Sequence, residues 1–235
     1  TQNQIAEIGW EHFIFFKPRD IVSGDFYWLT KENDKLIIAA ADATGHGVPG
    51  AFMSMLGIAF LNELREEMKE KNLNSNQILE NLRDKIKDSL KQTGKKDEST
   101  DGMDIAMCIF DIKTLEMQFS GAHNPAIIIK NSGELIELKA DKQPIGVFFR
   151  ENPFTNRSIQ LEKGDTVYLF SDGFKDQFGG ARGTKFSSKK FKELLKSTAT
   201  LPMSEQKQKL DSVLTNWKRE LDQIDDIIVM GIKVK

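Results

Sequence analysis

Three stretches run an apolar segment into or out of an aspartate: "LIIAAAD" ends at Asp42, "VYLFSD" ends at Asp172 just before Gly173, and "QIDD" brings Asp225 and Asp226 up to "IIVMGI". Strand ends of one sheet can converge, so acids this far apart in sequence can share a site. Carboxylates gathered in a partly buried cleft repel one another and raise their own pKa values unless a cation neutralises them. The economical partner is a divalent metal. With one cysteine and three histidines in the chain, an all-oxygen donor set points to Mg²⁺ or Mn²⁺ rather than zinc. One aspartate bridging two ions about 3.5–4 Å apart would acidify a water and aim it at a phosphoryl group. The stretch "ADATGHGVPGAF" adds the geometry: Gly45, Gly47 and Gly50 allow backbone close to ions and a phosphate, and a carbonyl just after Asp42 can itself be a ligand. In the other reading, aspartates and glycines only punctuate strand ends. The residues alone leave both open.

The elements that must position these groups are legible in the hydrophobic pattern. Strands are predicted at "HFIFF", "DFYWLT" and "KLIIAAAD". From Pro49 the spacing changes to threes and fours through Ala51, Met55, Ile58, Leu61, Leu64 and Met68, which predicts a helix of about five turns. A second helix is predicted from a capping Ser75 to a stop at Gly94. The tract "TGKKDESTDG" reads as an exposed loop. Strands return in "MDIAMCIFD", "EMQFSG", "PAIIIK", "SIQL" and "DTVYLFSD", with "NSGE" as a hairpin turn. Two late helices, near 187–197 and 203–221, precede a last strand "IIVMGIKV". Runs of strands separated by helix pairs predict an α+β fold with largely antiparallel sheets.

Composition narrows the classes. With 33 basic and 35 acidic residues, the formal net charge of -2 removes the simplest electrostatic case for a nucleic-acid partner. The single Cys108, inside "IAMCIF", forms no intrachain disulfide and fits a reducing, cytoplasmic setting, or the cytoplasmic face if the parent protein is anchored in a membrane. The longest apolar run, "GAFMSMLGIAFL", falls short of the roughly 20 residues that span a bilayer, so no membrane insertion is expected. The chain begins "TQNQ", without methionine or a signal pattern. The expectation is one domain over residues 1–235, the C-terminal output domain of a longer signalling protein.

In order, "RDIVSGDFYW", "ADATGHGVPGAFMS", "GMDIA", "GAHNPA", "PIG", "LFSDGFKDQF" and "DDIIV" resemble the SpoIIE-type, RsbU-like branch of the metal-dependent PPM (type-2C) serine/threonine phosphatases. The resemblance runs from Phe13 to Val234, and seven ordered motifs make it specific. It implies an α-β-β-α sandwich, two mainly antiparallel sheets flanked by helix pairs, with two Mn²⁺ or Mg²⁺ ions at one end. By motif, Asp42 is the bridging carboxylate and the Ala43 carbonyl completes the first metal site. Asp172 and one of Asp225 and Asp226 hold the second metal, the register favouring Asp225. Asp25 of "GDFY" stands behind them, hydrogen-bonding metal-bound water, and Asp101 or Asp104 touches a third, weaker ion.

Two departures are visible. Ile228 stands where many relatives have threonine, which removes a hydroxyl but no ligand. Thr44 occupies the position of the general-acid histidine of eukaryotic members, so His46 is not its equivalent. His46 either donates to phosphate or caps the following helix; His123 reads as a packing or hydrogen-bonding residue, and His12 carries no functional signal. The resemblance further implies phosphoserine or phosphothreonine hydrolysis by a metal-bridged water, a STAS-type anti-anti-sigma protein as substrate in a partner-switching pathway, an upstream sensor in the same chain, and a homodimer. It also implies that the helix pair starting at Pro49 and Ser75 is a switch, with Gly47 and Gly50 affecting activity more than stability. The competing reading is a catalytically silent module of the same fold that binds a regulatory partner; a metal-dependent phosphodiesterase is a further enzymatic alternative.

Overall fold

The computed structural model describes residues 3–95 and 98–235. Lys96 and Asp97 of the expected polar loop lie outside the described residues, as do Thr1 and Gln2. In chain order the elements are α1 (Asn3–Glu7), β1 (Glu11–Lys17), β2 (Asp25–Glu32), β3 (Lys35–Ala43), α2 (Gly47–Lys71), α3 (Ser75–Leu90), β4 (Met103–Asp111), β5 (Glu116–Ala122), β6 (Ala126–Ile129), β7 (Leu135–Leu138), β8 (Arg157–Gln160), β9 (Thr166–Phe170), α4 (Gly173–Asp176), β10 (Phe178–Gly179), β11 (Thr184–Lys185), α5 (Ser188–Thr198), α6 (Met203–Lys218) and β12 (Ile227–Lys233).

Two five-stranded sheets, ordered β2-β3-β4-β5-β8 and β1-β12-β9-β6-β7, carry the fold, and their strand pairs are antiparallel. The period of two along each strand sorts its side chains into layers. Leu36, Ile38 and Ala40 of β3 meet Val167, Leu169, Ile228 and Met230 between the sheets. Ile37, Ala39 and Ala41 face the other way, under Leu61, Leu64, Ile78 and Leu82 of α2 and α3. On the far side, Tyr168, Phe170 and Val229 lie under Phe191, Leu195, Leu210 and Leu214 of α5 and α6. The result is the expected α-β-β-α sandwich. Because both faces of β3, β4 and β12 are covered, these strands read as continuous apolar runs instead of alternating ones.

Local details differ from the sequence reading for identifiable reasons. Ser75 does not cap α3. The flanking residue is Asn74, whose backbone N–H donates to Gln77 Oε1 at 2.8 Å, while Ser75 Oγ pairs with Ser120 Oγ at 2.8 Å. The helix ends at Leu90 because Lys91 takes the left-handed conformation at φ 53°, before Gly94 is reached. Helix α2 starts two residues before Pro49 and runs for 25 residues, longer than the apolar run suggested. By length and composition alone it would suffice to cross a membrane; here Met53, Leu61, Leu64 and Met68 of it pack onto the sheet. The short elements α1, α4, β10 and β11 give no periodic signal and were not anticipated.

At one end of the sandwich the chain is packed backbone to backbone. A Cβ on Gly50 would lie 2.2 Å from the Gly45 carbonyl oxygen and 2.9 Å from Gly24 Cα, and one on Gly24 would lie 2.4 Å from the same oxygen. Glycine is therefore required where the β1–β2 loop, the β3–α2 turn and the first turn of α2 meet. Gly50→Ala is expected to lower unfolding stability by about 1–3 kcal/mol in urea, since backbone cannot yield as a side-chain tip can. Gly50 thus carries a stability cost that the switch reading did not include. An unchanged urea midpoint would show that the three segments are not in contact.

Candidate metal centre

The antiparallel register places the acids. Asp25 of β2 is opposite Asp42 of β3, and Asp42 is opposite Asp104 of β4, so three carboxylates form a row across one sheet. They share parity with Leu29, Ile38, Ala40, Ala106 and Cys108, which all point between the sheets. The other sheet delivers Asp172, just past β9, and Asp225 and Asp226, just before β12. A Cβ on Gly173 would sit 2.0 Å from the Asp226 carbonyl oxygen, so glycine there lets these two strand ends close together.

A cavity of about 280 Å³ is lined by Asp42, Asp104, Asp172 and Asp225, and by Ala43, Gly45 and His46. Burial is the largest influence on Asp42 and pushes its carboxyl to about 9, with Asp25, Asp172, Asp225 and Asp104 adding repulsion. Asp25 rises to about 7, chiefly through burial, against a stabilising hydrogen bond from Ser171. Asp104, Asp172 and Asp225 are all raised, again first by burial; Lys175 works in the opposite direction on Asp172 and on Asp104. Asp25 Oδ2 is buried without a hydrogen-bond partner. Among the described residues, no three acidic, histidine or cysteine side chains form a ready-made metal cage. A hard cation that keeps several waters does not need one. Its charge and its waters would answer both the orphaned oxygen and the mutual repulsion, so the oxygen donor set fits Mg²⁺ or Mn²⁺.

Asp225 and Asp226, left as alternatives by the sequence, have different surroundings. The two carboxylate oxygens of Asp226 accept backbone N–H groups, from Arg19 at 2.7 Å and Gly24 at 2.8 Å, and the residue is 2% exposed. It fastens the β1–β2 loop and does not line the cavity, whereas Asp225 does. Of the two alternatives this geometry favours Asp225 as the cavity-facing acid. Asp25 stands across from Asp42 on the neighbouring strand and does not itself line the cavity. Of Asp101 and Asp104 only Asp104 reaches the cavity; the Asp101 carboxylate accepts from Ser99 Oγ at 2.6 Å.

The Gly-rich turn also separates into roles. Gly45 lines the cavity, Gly47 takes φ 61°, and Gly50 supports Gly45 from behind. His46 makes no capping bond to α2; its Nδ1 is 3.1 Å from Asp20 Oδ2. Thr44 Oγ1 donates to the Gly102 carbonyl at 3.0 Å and accepts from the Gly102 N–H at 3.0 Å, tying the turn to β4. Ile228 is buried between the sheets, and its N–H donates to Ser171 Oγ at 3.0 Å. Sequence reading missed Ser171, Lys175 and Thr100. Only register and the folding-back of loops bring them here, although "SDGFK" does place a lysine three residues from Asp172.

Two expectations follow from this electrostatics. The folded-state carboxyls sit above their ordinary 3.8, so the metal-free folded protein holds protons that the unfolded chain has released. The stability this contributes is complete below about pH 4 and is lost as pH rises through 7 and then 9. Chelator-treated protein should therefore melt at progressively lower temperature from about pH 5 to 9. Mn²⁺ should reverse the trend, and Asp42→Asn should flatten it. A metal-free melting temperature independent of pH in both proteins would contradict the buried cluster. Separately, Asp226→Ala strands the buried Gly24 N–H and removes the Arg19 N–H bond, and should cost about 1–3 kcal/mol in a denaturant melt, while Asp225→Ala should cost far less. Equal losses would undo the division of roles.

Comparison with known proteins gives the family. Residues 32–235 match the family model described as Stage II sporulation protein E (SpoIIE). Phosphoserine phosphatase RsbU of Bacillus subtilis (strain 168) is 27% identical over 161 residues, 66% of this chain and 44% of RsbU, so the chain spans less than half of that relative. The SiaA PP2C domain of Pseudomonas aeruginosa superposes with a TM-score of 0.87 at 30% identity, covering 100% of this chain and 89% of that one. The PP2C phosphatase domain of SpoIIE from Bacillus subtilis, with a fragment of its regulatory domain, superposes with a TM-score of 0.76 at 18% identity, over 96% of this chain and 63% of that one, a likeness of fold. With carboxylates from both sheets around one cavity and the family model matched over most of its length, the chain belongs to the SpoIIE family of PP2C-type (PPM) serine/threonine phosphatase domains.

Proposed function

We propose that this chain is a metal-dependent phosphatase that hydrolyses phosphoserine and phosphothreonine on a partner protein. The observation that carries the reading is the meeting of Asp42, Asp172 and Asp225, from two sheets, on one cavity whose carboxyls are all raised by burial and mutual repulsion. Two Mg²⁺ or Mn²⁺ ions, held by Asp42, the Ala43 carbonyl, Asp172 and Asp225, would shield the phosphoryl oxygens and make a water acidic enough to attack at neutral pH. Asp25, behind Asp42, has the free Oδ2 with which to orient that water. Lys175 adds positive charge beside Asp172 and Asp104. Cys108 is fully buried with its thiol pushed far up, so it is no nucleophile, and no phosphoenzyme is required.

The substrate we propose is a STAS-type anti-anti-sigma protein in a cytoplasmic partner-switching pathway, on the strength of the seven-motif resemblance and the likeness to RsbU. An upstream sensor in the same chain and a homodimer belong to the same proposal. The β3–α2 turn gives a sensor its lever, because Asp42 is joined through Thr44 and Gly45 directly to α2. A catalytically silent module is the second reading, and the intact acids weigh against it.

Phosphate release from a phosphoserine-bearing STAS-type protein, followed across a Mn²⁺ titration, tests the reading. Turnover should require Mn²⁺ and fall at least ~100-fold in Asp42→Ala and Asp172→Asn, both still folded by circular dichroism. Mutants with wild-type turnover would remove these residues from the chemistry.

A further inference from the structure

Next to the carboxylate cavity, and sharing Thr100 and Pro144 with it, a groove of about 630 Å³ runs to the adjacent aromatics Phe148 and Phe149. Phe149 is 91% exposed and its ring centroid is 4.5 Å from that of Phe148. Phe148 meets the His123 ring edge-on at 6.4 Å, and His123 Nδ1 lies 2.8 Å from Asp104 Oδ1 in the cavity wall. Leaving a phenyl ring in water forgoes about 1.5–3 kcal/mol of burial, so its place calls for a use.

The loop that presents this pair is held firmly. At its base Gln143 Nε2 donates to the Asn152 carbonyl at 2.8 Å and Asn152 N–H donates back to Gln143 Oε1 at 2.9 Å. Gln92 Oε1 accepts the Val147 N–H at 3.1 Å while its Nε2 donates to the Asp101 carbonyl at 2.6 Å. Ile145 and Met103 exchange backbone hydrogen bonds at 2.8 and 3.0 Å, which fixes the loop to the strand carrying Asp104. Both glutamines are nearly inaccessible, at 3% and 5% exposure. Buried amides thus preorganise an exposed aromatic tip relative to the cavity, which lowers the cost of binding there.

We infer that this groove seats the residues flanking the phosphorylated serine of the partner protein, with an apolar side chain of that segment against Phe148 and Phe149. The inference rests on the phosphatase reading, and it adds a substrate requirement to it. Continuity selects this groove, which shares Thr100 and Pro144 with the cavity; the larger cleft between β2 and α2, about 820 Å³, touches the site only at Asp25, which does not line the cavity. Among the described residues its charged walls are balanced, Lys87 and Lys95 against Glu98 and Glu151, which favours an apolar side chain over an acidic run.

The test is fluorescence anisotropy in Mn²⁺ buffer, in an Asp172→Asn background that leaves the phosphate in place, with labelled phosphoserine peptides of glycine and serine carrying a single leucine at each position up to about five residues either side. At one or two positions leucine should tighten binding about tenfold, and Phe149→Ala should return those peptides to the affinity of the leucine-free peptide. Phe149→Ala should melt like wild type, since the ring is exposed, and Phe149→Leu should keep part of the preference. No leucine preference with Phe149 intact, or a preference that survives Phe149→Ala, overturns the inference. So does a change of oligomeric state by light scattering in Phe149→Ala, which would assign the tip to a second copy of the chain. Turnover of p-nitrophenyl phosphate by the wild type decides the phosphatase reading separately, because the leucine preference is read from binding alone.

Discussion

Five carboxylates at one end of two packed sheets repel one another, and most of the architecture around them serves to hold them there. Asp25, Asp42 and Asp104 are locked in a row by strand pairing, while Asp172 and Asp225 are brought opposite by the sheet that packs over the first. Burial that pushes Asp42 to about 9 is unfavourable for the metal-free fold, and the three buried apolar layers must outweigh it. A bound cation would reverse the sign of that term and so couple folding, metal affinity and pH through the same few oxygens.

Around this constraint the chain uses two devices. Glycine appears where backbone touches backbone, at Gly24, Gly45 and Gly50 on one sheet's side and at Gly173 on the other. Polar groups act as fasteners: the buried Asp226 on the β1–β2 loop, Thr44 on β4, and the buried Gln92 and Gln143 on the loop bearing Phe148 and Phe149. Each fastener ends next to the cavity without supplying a cavity-facing carboxylate. The preorganisation that chemistry needs therefore comes from hydrogen bonds to backbone and close packing, and the cavity-facing carboxylates are left available for ions and substrate.

Motif and periodicity determined much of this without coordinates. Strands such as "KLIIAAAD" and "MDIAMCIFD", the helix from "VPGAF" and the acids at strand ends are local patterns, and the ordered motifs carried the family and the layered fold. Tertiary structure decided what depends on distant partners. Asp225 and Asp226 are identical as residues and adjacent in sequence; only the Arg19 and Gly24 N–H groups, some two hundred residues away, make one a fastener and leave the other at the cavity. Asp104 and Ser171 gained their places through register and sheet packing, and Phe149 through a loop held from outside itself. Local sequence encodes periodicity and turn chemistry, whereas the role of a side chain is set by whichever groups the fold brings against it.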